Sequence, residues 1–250
     1  MRNIRLLIAY DGTAYAGWQR QAVLPTIQGV LEEKIALMTK TSVTLHGAGR
    51  TDAGVHALGM VANFHTPASI PCLGLVNGLN CLLPDDIRIL AAEQVDPDFQ
   101  ARFSAKGKVY AYQFLSTPIL LPHHRLYYAQ IKGHLDLSLM EAALNILVGE
   151  HDFACFEASG SRDLTMAGGR GAVRRITAAT LERQGEGWAM VIQGDGFLRH
   201  MVRNIAGTLF EVGQGKRSLT DLRETLAARD RSRAGMTAPA KGLFLREVFY

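Results

Sequence analysis

Apolar residues fall at every second position near the start of the chain, at Ile4, Leu6, Ile8 and Tyr10. They then recur every three or four positions, at Ile27, Val30, Leu31, Ile35 and Met38. The first spacing buries one face of a strand and the second one stripe of a helix, so a strand followed by a helix is predicted. Asp11-Gly12-Thr13 breaks the strand, and Pro25-Thr26 opens the helix. Short strands over residues 41–45 and 60–64 flank a Gly-rich stretch. A helix over residues 71–82 ends before Pro84, and a strand over residues 87–95 follows. The order strand, helix, strand, strand, helix, strand predicts a split βαβ unit of the ferredoxin-like kind.

After a polar connector over residues 96–108 the theme begins again. Residues 108–115 alternate, with Tyr110, Tyr112 and Phe114 on one face. Asp136 is placed to cap a helix bearing Leu139, Ala142, Ala143, Ile146 and Leu147, stopped by Gly149. Residues 176–181 and 188–193 read as strands, and Phe197, Met201, Ile205, Leu209 and Val212 mark a helix. Ser218-Leu219-Thr220-Asp221 is a capping box for another, and residues 243–250 close as a strand. The expected fold class is α+β: two similar ferredoxin-like halves, residues 1–104 and 105–250, whose antiparallel sheets join across a central cleft. Residues 159–171 hold glycines at 160, 168, 169 and 171 and show no periodicity, which reads as a loop or insertion.

A chain of 250 residues can bury a substantial core. Its 48% hydrophobic and 20% charged content suits a soluble globular protein. No apolar run approaches the ~18 residues of a membrane span, and Met1-Arg2-Asn3-Ile4-Arg5 leads into a strand pattern rather than a signal peptide. A cytoplasmic protein without membrane contact is expected. Cys72, Cys81 and Cys155 form no C-x-x-C pair, and their odd number argues against a disulfide framework. Cys72 and Cys81 are expected in the core. His123-His124 after Pro122 reads as a solvated loop, and no structural metal is expected. The net charge of +4 says little by itself. Basic residues, however, gather at Arg170, Arg174 and Arg175, at Arg199, His200 and Arg203, at Lys216 and Arg217, and at Arg229, Arg231 and Arg233. Such clustering favours a phosphate-binding face.

Gly47-Ala48-Gly49-Arg50-Thr51-Asp52-Ala53-Gly54-Val55-His56-Ala57 carries the densest chemistry. Glycines let backbone approach a ligand or take positive φ, and a carboxylate among them can be a turn residue or a positioned catalytic group. A dinucleotide loop needs a third glycine where Asp52 stands. A phosphate-cradling Walker loop fails at Gly213-Gln214-Gly215-Lys216-Arg217-Ser218, because Arg217 occupies the hydroxyl position. Arg203 shares a helix face with Arg199 and reads either as a surface phosphate contact or as a half-buried cation that needs a partner. Tyr110 and Trp18 each read as core or as site, and Tyr112 stays unassigned.

The Gly-rich loop resembles the catalytic loop of the tRNA pseudouridine synthase A family. Further blocks follow in that family's order: Asp11-Gly12 with Tyr15, Gly17, Trp18 and Gln19; Leu83-Pro84-Asp85-Asp86-Ile87; Phe99-Gln100-Ala101-Arg102 before Lys108-Val109-Tyr110-Ala111-Tyr112; His151-Asp152-Phe153; Gly196-Phe197-Leu198 with Met201-Val202-Arg203-Asn204; and Gly242-Leu243-Phe244-Leu245. The resemblance covers nearly the whole chain. It departs at Met60, where the family commonly has Gln, and over residues 159–171. It implies an enzyme that isomerises uridine to pseudouridine in the anticodon stem-loop of tRNA. Asp52 would be the catalytic nucleophile and Tyr110 would stack on the target uracil. Arg203 would pair with Asp52, Arg50 and Thr51 would shape the loop and meet the flipped nucleotide, and Leu243 would line an apolar wall. The resemblance further implies no cofactor, no catalytic metal, a homodimer, and tRNA rather than DNA as partner.

Overall fold

Alternation in sequence becomes a central strand in the structure. The computed structural model describes residues 1–158 and 170–250. Apart from its last two residues, the loop expected over 159–171 lies outside the described residues. The chain divides into two compact units, Met1–Lys106 with Phe244–Tyr250, and Gly107–Leu243.

The first unit opens with β1 (Arg2–Tyr10), α1 (Ile27–Thr39), β2 (His46–Gly47), β3 (His56–Thr66), α2 (Cys72–Leu82) and β4 (Ile87–Val95). β1 lies between β3 and β4 and is antiparallel to both. Its Ile4, Leu6 and Ile8 are fully buried. Thr26 caps α1, its side chain accepting from the Gly29 amide at 3.2 Å, and Ile27, Leu31 and Ile35 form the buried stripe. The strand expected over residues 41–45 is instead the short β2. Side chains of α1 hold the segment before it: Leu45 N donates to Glu32 Oε1 at 2.9 Å and Leu45 O accepts from Gln28 Nε2 at 3.0 Å. Backbone groups satisfied by side chains leave no ladder to form there. β3 starts four positions earlier than its apolar core suggests, so His56 and Ala57 belong to a strand.

The second unit runs β5 (Gly107–Ser116), β6 (Ala129–Ile131), α3 (Leu137–Leu147), β7 (Gly149–Asp152), β8 (Val173–Gln184), β9 (Gly187–Gly194), α4 (Met201–Gly213) and α5 (Leu219–Ala228). Antiparallel pairing gives the order β5-β9-β8-β7, with β6 parallel to β5. β5 is buried on both faces from Tyr110 to Phe114, more than the one-sided pattern expected. Asp136 caps α3, and Ser218 with Asp221 closes the capping box of α5. Cys155 is buried, but Cys72 is half-buried and Cys81 exposed. α2 therefore turns Cys81 outward, and the expected pair of core cysteines reduces to neither.

β10 (Leu243–Phe249) returns to the first unit, where Phe244 and Leu245 pair in parallel with His56 and Ala57 of β3. The backbones approach closely: a Cβ on Gly59 would sit 2.3 Å from Arg246 O. Sequence order alone assigns this strand to residues 105–250. Residues 244–250 nevertheless group with the first unit. The strands are mostly antiparallel and the described helices number five, a mixed α+β architecture. No helix among the described residues is long and apolar enough to cross a membrane.

Candidate active site

The loop between β2 and β3 is fastened along its length. Ala48 N donates to Val61 O at 2.8 Å, and Val55 N donates to Asp52 O at 3.1 Å. The second bond closes a turn whose third residue, Gly54, has φ 74°, the conformation glycine adopts without strain. Ala48, Thr51 and Val55 are buried, Asp52 is half-buried and Arg50 is exposed. The tyrosine closing β1 reaches under this turn: Tyr10 Oη and Thr51 Oγ1 share a hydrogen bond of 2.8 Å. Asp52 thus emerges from a turn anchored by buried Thr51 before it and buried Val55 three residues after it.

The segment after β1 completes the clamp. Trp18 N donates to Thr51 O at 3.1 Å and Gly54 N to Tyr15 O at 3.4 Å. A Cβ on Gly12 would lie 2.0 Å from Val55 O, and one on Gly17 2.6 Å from Thr51 O. Gly17 also has φ 97°. Trp18 is buried, with its indole so close to Gly47 that a Cβ there would stand 2.6 Å away. Tyr15 Oη donates to Asp86 Oδ1 at 2.6 Å; burial, then that bond, push the phenol well above its ordinary range. His56, read in sequence as part of the loop, is buried at the start of β3. Its Nδ1 accepts from Gly12 N at 3.1 Å, and its ring stacks on Phe244 with centroids 4.6 Å apart. Sequence spacing marked none of Tyr10, Gly12 or His56 as supports. The available signal was the run of glycines beside aromatic residues, where backbones must approach rings.

The other expected site residues lie in the second unit. Tyr110 is buried on β5, edge-on to Phe197 with ring centroids 4.9 Å apart. Arg203, in the first turn of α4, is half-buried, and its Nε donates to Ala238 O at 2.8 Å. Ala238 N in turn donates to Arg203 O at 3.1 Å. The next residue, Pro239, accepts from Tyr112 Oη at 2.8 Å. Burial raises the Tyr112 phenol, and the Arg203 charge partly offsets the shift. Leu243 is buried at the end of the same segment. One stretch, 238–243, therefore ties the strand of Tyr110 to the helix of Arg203. The structure brings Tyr110, Arg203 and Leu243 onto one framework in this unit, and Arg50, Thr51 and Asp52 onto one loop in the other.

Several expected phosphate ligands are engaged within the protein. Arg170 pairs with Asp195, Arg217 with Glu211 at 2.9 Å, Arg229 with Asp152 at 3.5 Å and Arg233 with Glu224 at 3.3 Å. Arg231 donates to Asn204 Oδ1 and Thr237 Oγ1, both at 3.1 Å. Four arginines of the basic clusters thus each have a carboxylate partner. Among the described residues, one group has metal-ligand spacing: His123, His124 and Glu186.

Comparison with known proteins matches residues 6–104 and 143–250 to the family model described as tRNA pseudouridine synthase. The chain is 49% identical to tRNA pseudouridine synthase A 1 of Desulfotalea psychrophila, over all of both chains. It is 47% identical to tRNA pseudouridine synthase A of Citrifermentans bemidjiense, over 100% of this chain and 98% of the relative. Identity is also 47% with tRNA pseudouridine synthase A of Acetivibrio thermocellus, over the full length of both.

Proposed function

This chain belongs to the tRNA pseudouridine synthase family and is an isomerase of tRNA uridine, and from that premise we propose that Asp52 is its catalytic carboxylate and that its targets are uridines of the anticodon arm. The reaction breaks the N1–C1′ bond, turns the uracil and joins C5 to C1′; the C5 hydrogen leaves to solvent and N1 gains a proton. Oxidation state is unchanged, so the chemistry calls for no redox cofactor. An ionised, oriented carboxylate serves each route open to it: attack at C1′, addition at C6, or removal of a sugar proton. The observation that carries this assignment is the contrast inside one loop. Thr51 and Val55 are buried and bonded while Asp52 between them keeps access to solvent. A carboxylate held that way spends little freedom on orientation when substrate arrives.

Tyr110 supplies a ring for the target base, a stacking surface worth ~1–3 kcal/mol. Its edge contact with Phe197 fixes the ring plane. Arg203 supplies a guanidinium aimed by the Nε bond to Ala238, suited to bidentate recognition of an anion. Leu243 contributes apolar wall, and Arg50 and Thr51 shape the approach to Asp52. The target leaves the helical stack, since its reacting atoms are otherwise unreachable. We infer also that the two units are variants of one split βαβ design. In the first, α1 links β1 to β2 with β3 between them; in the second, α3 lies between β5 and β8, which have β9 between them. A homodimer suits a substrate longer than one such chain, and sedimentation equilibrium of the free protein is expected to return twice the monomer mass.

The test is Asp52→Asn. It is expected to bind tRNA with unchanged affinity and to release no tritium from C5-labelled uridine. Tritium release at the unsubstituted rate would remove Asp52 from the chemistry.

A further inference from the structure

His123 and His124 end the short 3-10 turn Pro122–His124, and Glu186 stands in the turn between β8 and β9, 62 residues beyond His124. Their ligand atoms all lie within 4.8 Å of one another. His124 Nε2 is 3.0 Å from Glu186 Oε2, and the two imidazole rings have centroids 4.1 Å apart. Zinc held at 2.0–2.1 Å by tetrahedral ligands places neighbouring donors about 3.3 Å apart. One pair already stands close to that spacing, and the third donor lies within 4.8 Å of both.

The scaffold around these donors is assembled by other contacts. Tyr128 N donates to His124 O at 3.1 Å, and the Tyr128 ring is edge-on to the His124 ring with centroids 5.3 Å apart. Tyr128 Oη reaches across to Gln184 O at 3.1 Å. A Cβ on Gly187 would lie 2.9 Å from the Tyr128 ring, so the tyrosine and the β8–β9 turn are in contact. Pro122 fixes the entry to the 3-10 turn. The histidines and the glutamate are thus carried by two segments already fastened together.

We propose that His123, His124 and Glu186 form a zinc site, completed by water, that joins the 3-10 turn to the β8–β9 turn. Two imidazoles and one carboxylate match the ligands zinc takes. Magnesium and calcium prefer all-oxygen sites and are poorly served. On binding, the hydrated zinc exchanges bound waters for one nitrogen of each histidine and one Glu186 oxygen, and the hydrogen between His124 and Glu186 passes to solvent or to the other ring nitrogen.

The untagged full-length protein, freed of metal with a chelator, is titrated calorimetrically with zinc chloride. One equivalent per chain is expected. His124→Ala and Glu186→Gln are each expected to weaken binding at least tenfold, while His134→Ala, an exposed histidine elsewhere, leaves it unchanged. Cobalt in place of zinc is expected to give the visible bands of a tetrahedral site, lost in the same two variants. Magnesium is expected to give no heat. Glu186 is exposed, so Glu186→Gln tests the site without disturbing packing. Unchanged zinc affinity in either ligand variant, or equal loss in His134→Ala, overturns the site.

Discussion

A single hydroxyl decides how firmly Asp52 is aimed. Tyr10 is buried at the end of β1, and its bond to Thr51 links the central strand to the residue beside the carboxylate. Tyr10→Phe keeps the ring and its packing against Trp18, whose centroid is 6.1 Å away. It removes a hydrogen bond worth about 1 kcal/mol. If that energy holds Asp52 in its reactive direction, turnover falls about fivefold while tRNA affinity stays constant, because Tyr10 has no exposed surface to offer RNA. Single-turnover kinetics with a parallel filter-binding measurement separate the two. Equal loss of affinity and rate would assign Tyr10 to general stability. At this scale the sequence was informative about Asp52, Arg50 and Thr51, which share one short loop. It was silent about Tyr10 and His56, whose roles come from contacts across 41 and 44 positions. The same holds for Glu186, which no local pattern links to His123 and His124.

Elements were legible wherever local chemistry alone determines them. Periodicity placed β1, α1, α2, β4 and α3 within a residue or two, and cap residues located the starts of α3 and α5. What escaped was set by distant partners. β2 is two residues long and exists because β3 lies alongside it. β6 is three residues and β7 four, too short to carry a period. Within the basic clusters, Arg170, Arg217, Arg229 and Arg233 also pair with Asp195, Glu211, Asp152 and Glu224. The capping box of α5 offers a clean measurement. Ser218 Oγ accepts from Asp221 N at 3.1 Å, and Asp221 Oδ2 accepts from Ser218 N at 2.9 Å. The Ser218 amide, and then the Ser218 hydroxyl donating to the same Oδ2 at 2.8 Å, hold the Asp221 carboxyl below its ordinary range. Ser218→Ala breaks the reciprocal pair and is expected to cost about 1 kcal/mol. Urea unfolding should show a lower midpoint with an unchanged m-value, and turnover should be unaffected, since α5 carries no assigned site residue. A midpoint equal to that of the parent chain would mean the box is idle.

For the molecule as a whole, the decisive fact is that the last seven residues belong to the first unit. Phe244 stacks on His56, Phe249 O accepts from Lys106 N at 2.8 Å, and Tyr250 Oη donates to Ala101 O at 2.8 Å. Residue 101 sits in turn under Asn63, whose Oδ1 takes the Ala101 amide at 2.9 Å, and Asn63 bonds Asn3 of β1. The C-terminus therefore reports on the same strands that carry the Asp52 loop. His56 links them most directly, because its Nδ1 holds Gly12 and Gly12 lies against Val55. A chain ending at Leu243 loses all three contacts and the parallel pairing on β3. Hydrogen exchange is expected to speed up first in β3 and in the connector near Ala101, while β8 and β9 keep their protection. Tritium release should fall further than the loss of folded protein accounts for, because a loosened His56 frees the loop even in molecules that stay folded. Uniform exchange across both units, or activity that tracks the folded fraction alone, would mean that β10 contributes only general stability and that the Asp52 loop is held without it.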